Sequence, residues 1–297
     1  MKPVPALFAS LAGTALVMGL AWVISPDALT IGGVAAPLVL GALALVIQWV
    51  AFVPAFALKS DAFFDLLGSL TFLSLVGLSL WIAHDHGQLT TRRLVSAALV
   101  AVWAGRLGLY LFRRVRQVGH DVRFDEIKQN GPQFLMTWTL QGAWAFVTSL
   151  AVIVFLTADG EASPLGFWDV LGWGLWGLGF TIEVVADRQK AAFRARNAAP
   201  RKWIDEGLWA HAQHPNYFGE ILLWFGLFVA GIGVYDGAQW VAVVSPLFVI
   251  ALLTQVSGIP MLKAVGKARW GDDPEYRAYL SRTRLLVPLP SRRKSES

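Results

Sequence analysis

Residues 133–157 read QFLMTWTLQGAWAFVTSLAVIVFLT, an unbroken run without a single charged side chain. An α-helix needs about 20 mainly apolar residues to cross the roughly 30 Å of hydrocarbon in a bilayer. This run is long enough for such a helix, and it therefore predicts a membrane-spanning segment.

Seven further stretches have, or nearly have, the same length and apolar character: 5–25, 31–57, 62–83, 94–112, 165–186, 217–235 and 239–262. Hydrophobic residues make up 56% of the chain and charged residues 15%, whereas a soluble domain carries about 25% charged residues. So few charges cannot cover a globule in water, and the 14 tryptophans suit the headgroup level of a bilayer. We predict an all-α, polytopic membrane helix bundle with seven to eight transmembrane helices.

The basic residues are segregated to one side of this predicted bundle. With the N-terminus in the cytoplasm, 22 of the 25 Lys and Arg residues fall on the cytoplasmic side, against Arg92 and Arg93 outside and Arg106 within a span. Cytoplasmic loops of membrane proteins carry such an excess. Both termini are therefore predicted to be cytoplasmic. Cysteine is absent, which excludes disulfides and thiolate metal sites, and we predict no metal site and no nucleic-acid partner.

Ionisable side chains inside predicted spans are functional candidates because they are costly in lipid. Asp65 lies near the start of the third span, and Arg106, Tyr110 and Arg113 share one face of the fourth helix. Asp65 could instead form a purely structural pair with Arg106. Gln48 is a buried polar candidate, although such residues often only join helices by hydrogen bonds.

The segment 187–202 continues the sixth predicted helix into water and carries six basic residues. Phe193 and Trp203 interrupt this charge, which suits an anionic ligand with an aromatic part, because Arg forks match phosphate oxygens. Contact with anionic membrane lipids would recruit similar basic residues.

The next stretch, HPNYFGE at 214–220, favours a ligand over a lipid patch. It groups His214, Asn216, Tyr217 and Glu220, and Pro215 suits the first turn of a helix. The N-terminal end of that helix attracts anions. No GxGxxG motif or P-loop is present, so a bound nucleotide would lie outside any Rossmann domain.

Three stretches, DRQKAAFRARN at 187–197, GLWAHAQHPNYFGE at 207–220 and SGIPM…RWGDDPEYRAYLSRT at 257–283, resemble the C-terminal region of the steroid 5α-reductase family. The resemblance is closest to the bacterial branch and covers roughly residues 60–290. Similar motifs occur in sterol Δ14- and Δ7-reductases and, more remotely, in isoprenylcysteine carboxyl methyltransferases.

The resemblance implies a helix bundle open to the cytoplasm, in a bacterial inner membrane, that binds NADPH and a lipophilic enone such as a 3-oxo-Δ4 steroid. Hydride would pass from NADPH to the β-carbon of the enone. It also implies three regions: transmembrane helices at 1–60, a catalytic membrane domain at 61–290 and a disordered tail at 291–297.

Family positions carried onto this chain make Tyr110 the catalytic residue that holds the substrate carbonyl. Asp65, in an FFD run, stands near the place of the family's glutamate and is not an exact counterpart. Substrate contacts are then expected from Gln48, Asp65 and Tyr110. The expected cofactor contacts are Asp187, Lys190, Arg194, Asn197, Trp203, His214, Asn216, Tyr217, Glu220, Arg113 and Arg123.

Two alternatives remain at the level of the sequence. An S-adenosylmethionine-dependent methyltransferase of the isoprenylcysteine type would need few basic contacts, so the arginine-rich segment 187–202 argues against it. A transporter or lipid-binding protein would leave the HPNYFGE group without a purpose.

Overall fold

The computed structural model describes residues 3–118, 124–160, 163–196 and 202–289, with side chains for all of these except 3 and 112–118. Within these ranges the chain forms ten α-helices and one short antiparallel hairpin. The helices are α1 (Pro3–Val23), α2 (Ala36–Ala57), α3 (Phe64–Asp85), α4 (Thr91–Val118), α5 (Gly131–Thr157), α6 (Phe167–Arg196), α7 (Pro215–Gly231), α8 (Val244–Ala251), α9 (Ile259–Trp270) and α10 (Pro274–Arg282).

The hairpin joins β1 (Thr30–Ile31) to β2 (Val34–Ala35), with Thr30 opposite Ala35. Gly32 and Gly33 form its turn with φ angles of 56° and 79°. Two positive φ angles in succession are tolerated by glycine, which has no Cβ. The hairpin is the only sheet in the described ranges.

Seven helical segments in the described ranges are long and apolar enough to span a membrane. The predicted all-α membrane bundle is therefore confirmed, and this is an integral membrane protein by helix length and composition. Each of the eight predicted stretches contains a helix. The exception to the length requirement is α7, whose 17 residues extend about 25 Å at about 1.5 Å per residue.

The last apolar segment, Gly237–Trp270, is not one regular helix. It begins as a 3₁₀ turn at Gly237–Val243, continues as α8, widens into a π-helical turn at Leu252–Val256, and breaks before α9. The break lies at Ser257 and Gly258, where the backbone leaves helical geometry. Such π turns are rare and frequently occur at functional sites.

The chain divides into two compact units, residues 1–170 with 230–245 and residues 171–229 with 246–297. In the first unit, α5 is the central helix, since 89% of its most apolar window is buried. It packs against α1, α2 and α3. At Gly142 a Cβ would lie 2.8 Å from the carbonyl oxygen of Ala44, so α2 and α5 approach backbone to backbone.

The second unit is built on a close pair of helices, α6 and α7. A Cβ at Gly179 would lie 2.6 Å from the carbonyl oxygen of Gly219, and a Cβ at Gly226 would lie 2.6 Å from that of Gly172. The two contacts repeat after seven residues on each helix, which is two helical turns. This seam of glycines sets the spacing of the polar residues that lie at the same end of both helices.

Two predictions about helix ends are confirmed here. The sixth predicted helix continues through the basic segment as far as Arg196, and α7 begins at Pro215. The predicted division at residue 60 is not tested by these contacts and stays a prediction, while the tail at 291–297 lies outside the described residues.

Candidate functional site

The second unit contains a cavity of about 220 Å³ between two stretches of chain, 190–214 and 262–280. Four of the residues predicted to bind a cofactor line it: Lys190, Arg194, Trp203 and His214. The rest of its lining is Phe193, Lys202, Ile204, Trp209, Gln213, Leu262, Lys263, Val265, Gly266, Arg269, Trp270, Tyr276, Tyr279 and Leu280. We call this cavity the aromatic pocket.

Trp203 lies at the centre of the aromatic side of the pocket. The centroid of its ring lies 4.9 Å from that of Tyr276, 6.0 Å from Tyr279 and 6.1 Å from Trp270. The rings are tilted or edge-on to one another, which is the favourable arrangement for aromatic pairs. This side of the pocket suits a flat, unsaturated ring.

Cations surround the same pocket. Lys190, Arg194 and Lys202 come from the α6 side, and Lys263 and Arg269 come from α9. The Lys190 ammonium lies 4.9 Å from the centroid of the Trp209 ring, within the range of a cation–π contact. The pocket therefore combines aromatic faces with positive charge, the combination that an aromatic anion requires.

Two buried polar atoms of the pocket lack a hydrogen-bond partner among the described residues, Nδ1 of His214 and Nε1 of Trp203. Both side chains are more than nine-tenths buried. Buried polar atoms in native proteins are almost always hydrogen-bonded. No described residue therefore uses the hydrogen-bonding capacity of these two atoms.

His214 is neutral at physiological pH. Burial, together with the charges of Lys190 and Lys263, lowers the pKa of His214 to about 4. The ring stacks on Tyr217, with centroids 5.5 Å apart and an interplanar angle of 18°. A neutral imidazole in this position can donate or accept a hydrogen bond without adding charge.

Side chains of α6 and α7 also meet. Nδ2 of Asn216 donates to Oδ1 of Asp187 at 3.4 Å. One turn further along α6, Glu183 is buried against Gly219, where a Cβ would lie 2.7 Å from the Glu183 nitrogen. Glu220 follows Asn216 by one helical turn. The helix pair thus presents a group of carboxylate and amide side chains.

Three predicted cofactor contacts cannot be placed. Asn197, Arg123 and the side chain of Arg113 lie outside the described residues.

In the first unit, the predicted catalytic residues lie at the same end of the antiparallel pair α3 and α4. A Cβ at Gly108 would lie 2.9 Å from that of Ser69, so the two helices touch at this level. Tyr110 lies two residues beyond Gly108, and Asp65 lies one turn before Ser69 in the same direction. Tyr110 is 45% exposed. A direct contact between Tyr110 and Asp65 stays a prediction.

Gln48, predicted to contact substrate, is fully buried between helices of the first unit. Its Nε2 atom donates to Oγ1 of Thr71 on α3 at 2.8 Å. Gln141 makes a similar contact from α5, donating to the carbonyl oxygen of Phe64 at 2.8 Å. Both amides join helices, and the role of Gln48 in substrate binding stays a prediction.

The first unit also has a larger cavity, of about 960 Å³, at the end that carries the hairpin. Its arginines are committed to protein partners. Arg92 forms an ion pair with Asp169 at 2.5 Å, and Arg93 donates to the carbonyl oxygens of Phe155 and Gln88 at 3.2 and 2.6 Å. These guanidinium groups hold the fold together, so the aromatic pocket is the better candidate for an anionic ligand.

Fourteen of the eighteen residues that line the aromatic pocket were not assigned from the sequence. Lys263, Arg269, Trp270, Tyr276 and Tyr279 all belong to the stretch 257–283 that carries the family resemblance, yet none was predicted as a contact. The signal was present in the density of aromatic and basic residues in RWGDDPEYRAYLSRT. Their meeting with Trp203 depends on a chain reversal that local sequence does not encode.

Comparison with known proteins gives one family. The profile of the family described as "Protein of unknown function (DUF1295)" matches residues 51–283, which include α3 to α10 and the whole lining of the aromatic pocket. Neither the curated proteins nor the solved structures contain a match to the chain. Because the match covers well over half of its length, this chain belongs to the DUF1295 family.

Proposed function

We propose that this protein is an NADPH-dependent reductase of the C=C bond of a hydrophobic enone, with 3-oxo-Δ4 steroids as the foremost substrate class. The observation that carries the proposal is the aromatic pocket, where Trp203 and its aromatic neighbours lie among five cations. The DUF1295 family is associated with steroid 5α-reductase-like proteins, which supports the same reaction class.

The residues of the aromatic pocket fit an adenine dinucleotide phosphate. Trp203 and Tyr276 offer faces for a planar base, and its edge could satisfy Nε1 of Trp203 or Nδ1 of His214. Arg194 and Lys190 would hold phosphate oxygens, as Arg and Lys do elsewhere. NADPH is favoured over NADH because its 2′-phosphate needs additional cationic partners, and Lys263 and Arg269 supply them.

The Asn216–Asp187 pair and Glu220 are assigned to the other end of the cofactor. An amide and carboxylates present both donors and acceptors, which is what a carboxamide needs for a fixed orientation. When bound, NADPH supplies a hydride, that is one hydrogen with two electrons, to the β-carbon of the enone.

Tyr110 and Asp65 are assigned to the substrate carbonyl. As hydride reaches the β-carbon, the C=C pair shifts and negative charge builds on the carbonyl oxygen. The Tyr110 hydroxyl donates a hydrogen bond to that oxygen and stabilises the charge. A carboxyl at Asp65 would orient the phenol or share its proton. A proton from solvent then completes the α-carbon, and the product is the saturated ketone.

The proposal also includes the orientation predicted from the charge distribution, with both termini and the aromatic pocket in the cytoplasm, where NADPH is made. The substrate is lipophilic and would reach the protein from the bilayer.

An assay of NADPH oxidation by the purified protein in detergent, with progesterone or testosterone as the substrate, tests the proposal directly. We expect steroid-dependent loss of absorbance at 340 nm and a 5α-dihydro product by mass spectrometry. Binding of NADPH without turnover would leave the reductase proposal standing and would reject steroids as the substrate. Binding of S-adenosylmethionine in place of NADPH would support the methyltransferase, and binding of neither would favour a transporter or lipid-binding protein.

A further inference from the structure

The chain that follows the helix break at Ser257 and Gly258 forms one wall of the aromatic pocket. This stretch, Ile259–Leu285, comprises α9, α10 and a short extended end, and we call it the C-terminal arm. It supplies half of the pocket lining, and the facing segment 190–214 supplies the other half.

The far end of the arm is clipped to the facing segment by a short parallel ladder. The Gln213 nitrogen donates to the Arg284 carbonyl at 2.8 Å, the Arg284 nitrogen to the His211 carbonyl at 3.2 Å, and the His214 nitrogen to the Leu285 carbonyl at 3.1 Å. Ala212 and Arg284 are directly opposed in this ladder. These bonds tie the backbone around His214 to the arm, so the position of that backbone depends on the position of the arm.

Side chains reinforce the same clip. Nε2 of Gln213 donates to the carbonyl oxygens of Leu280 and Thr283 at 3.0 and 3.2 Å. The Tyr279 hydroxyl donates to the Trp209 carbonyl at 3.0 Å, and burial raises the pKa of Tyr279, which keeps this donor protonated. The clip is therefore built of hydrogen bonds between two stretches about 70 residues apart in sequence.

The near end of the arm has the features of a hinge. Gly258 has φ −77° and ψ −89°, between the π-helical turn Leu252–Val256 and the first turn of α9. A Cβ at Gly258 would lie 2.5 Å from the Leu253 carbonyl oxygen and 3.0 Å from the Tyr217 ring. Interrupted helices of this kind are where helical segments bend.

The small volume of the pocket argues for an arm that moves. Pockets that hold whole small molecules have volumes of about 300–1,000 Å³, whereas this one has about 220 Å³. The adenosine phosphate end of the cofactor, which is the part assigned to this pocket, is itself the size of a small molecule, so it needs the pocket to widen by movement of the arm.

We propose that the C-terminal arm is a hinged lid of the aromatic pocket, which turns about Ser257 and Gly258 and opens at the Gln213–Arg284 ladder to admit and release the cofactor. The identity of that cofactor as NADPH rests on the proposed function. Exchange of the cofactor is then limited by opening of the ladder, in the way that lids limit other enzymes.

A disulfide across the ladder tests the lid. The chain has no cysteine, so Ala212→Cys with Arg284→Cys introduces a single possible bridge, and neither position lines the pocket. Neighbouring paired strands lie about 4.8 Å apart, within the range of Cα separations that a disulfide spans. NADPH association and dissociation would be followed by stopped-flow fluorescence of the purified protein.

With the bridge oxidised, we expect both rate constants to fall about tenfold or more, since opening gates both directions. Reductant should restore them to the values of the unmodified protein. Equal NADPH association and dissociation rates in the oxidised and reduced forms would contradict the lid proposal, because the arm would then be a fixed wall of the pocket.

A second variant distinguishes the lid from a simple contact. Gln213→Ala removes two bonds of the clip and should raise both rate constants, whereas loss of a ligand contact would raise dissociation alone. Ser281→Ala is the matched control, because among the residues that the structure describes its hydroxyl bonds to the Ala278 carbonyl alone, within α10. Faster dissociation with unchanged association in Gln213→Ala would count against the lid.

Hydrogen exchange without any ligand separates failure of the lid from failure of the proposed function. The amides of Gln213, His214 and Arg284 should exchange much faster than amides within α7, and the disulfide should slow them. If the unmodified protein binds no NADPH but shows this pattern, the cofactor assignment fails and the lid stands. If the amides of Gln213, His214 and Arg284 were as strongly protected from exchange as the amide of Leu223 in α7, the lid proposal would be wrong.

Discussion

Nδ2 of Asn216 donates to Oδ1 of Asp187 at 3.4 Å and joins the start of α7 to the extended end of α6. The two residues are 29 positions apart, and the glycine seam of the helix pair brings them together. A hydrogen bond to a carboxylate fixes the orientation of the Asn216 amide. The second N–H and the carbonyl oxygen of that amide therefore point in a defined direction.

Replacing Asn216 by Leu should weaken NADPH binding by about 10- to 100-fold, because hydrogen bonds to charged groups contribute roughly 1.5–3 kcal/mol. Fluorescence titration of the purified protein measures the Kd. Thr181→Ala is the control, since the Thr181 hydroxyl donates to the Gly177 carbonyl within α6 and to no other described residue. Equal Kd values for the two variants would remove the Asn216–Asp187 pair from the cofactor site.

Arg194→Ala should also weaken NADPH binding by about 10- to 100-fold, through loss of a charged donor to phosphate. Arg196→Ala is a close control, because Arg196 lies on the same helix, is exposed and pairs with Glu206. The two variants remove the same charge, so a general electrostatic effect would weaken both alike. The proposed phosphate contact requires that only Arg194→Ala does so, and that its deficit persists with NADH, because the 2′-phosphate that NADH lacks is assigned to Lys263 and Arg269.

His214 makes stability dependent on pH in a defined window. Its pKa falls from 6.5 in the unfolded chain to about 4 in the folded protein. The unfolded state therefore binds a proton first, so the full stability is present above pH 6.5 and is lost as pH falls towards 4. The loss should reach about 3 kcal/mol.

Thermal unfolding of the protein in detergent between pH 4 and pH 7 measures this effect. His214→Asn keeps a polar side chain but cannot titrate, so its Tm should fall less over that range. Identical pH profiles for the two proteins would show that His214 is not held neutral by the fold.

The membrane spans could be predicted from sequence because each one is a local property of 17 to 34 neighbouring residues. The beginning of α7 at Pro215 is local in the same sense, since proline suits the first turn of a helix. Lys190, Arg194 and Trp203 could be predicted to lie together because they follow one another in a single basic and aromatic segment.

The rest of the aromatic pocket depends on contacts that sequence spacing does not fix. Tyr276 lies 73 positions from Trp203, and their rings meet only because the C-terminal arm folds back onto the facing segment. Arg92 presents the same difficulty in the first unit. Its charge placed it outside the predicted membrane, and nothing local indicated that Asp169, 77 positions later, buries it in an ion pair.

Tyr110→Phe should lower kcat for enone reduction by about 100- to 1,000-fold, the usual cost of removing a donor to a developing oxyanion. The Kd for NADPH should not change, because the hydroxyl is assigned to substrate alone. Tyr235→Phe provides the control, since Tyr235 donates to the Ala151 carbonyl within the first unit. Normal turnover in Tyr110→Phe would remove this tyrosine from the mechanism.

The glycine seam of α6 and α7 leads to a prediction that separates close packing from helix propensity. Gly219→Ala places a Cβ 2.6 Å from the Gly179 carbonyl oxygen and 2.7 Å from the Glu183 nitrogen, and backbone atoms cannot move away cheaply. The helices must part, which should cost about 1–3 kcal/mol and lower the Tm measured in detergent. Because Asn216 and Glu220 flank this contact, NADPH affinity should fall as well.

Gly174→Ala on α6 is the control. The added Cβ meets no atom within 4 Å, so this variant should instead raise stability by up to about 1 kcal/mol through helix propensity. Similar Tm values for the two variants would mean that the close approach of α6 and α7 does not hold the site together.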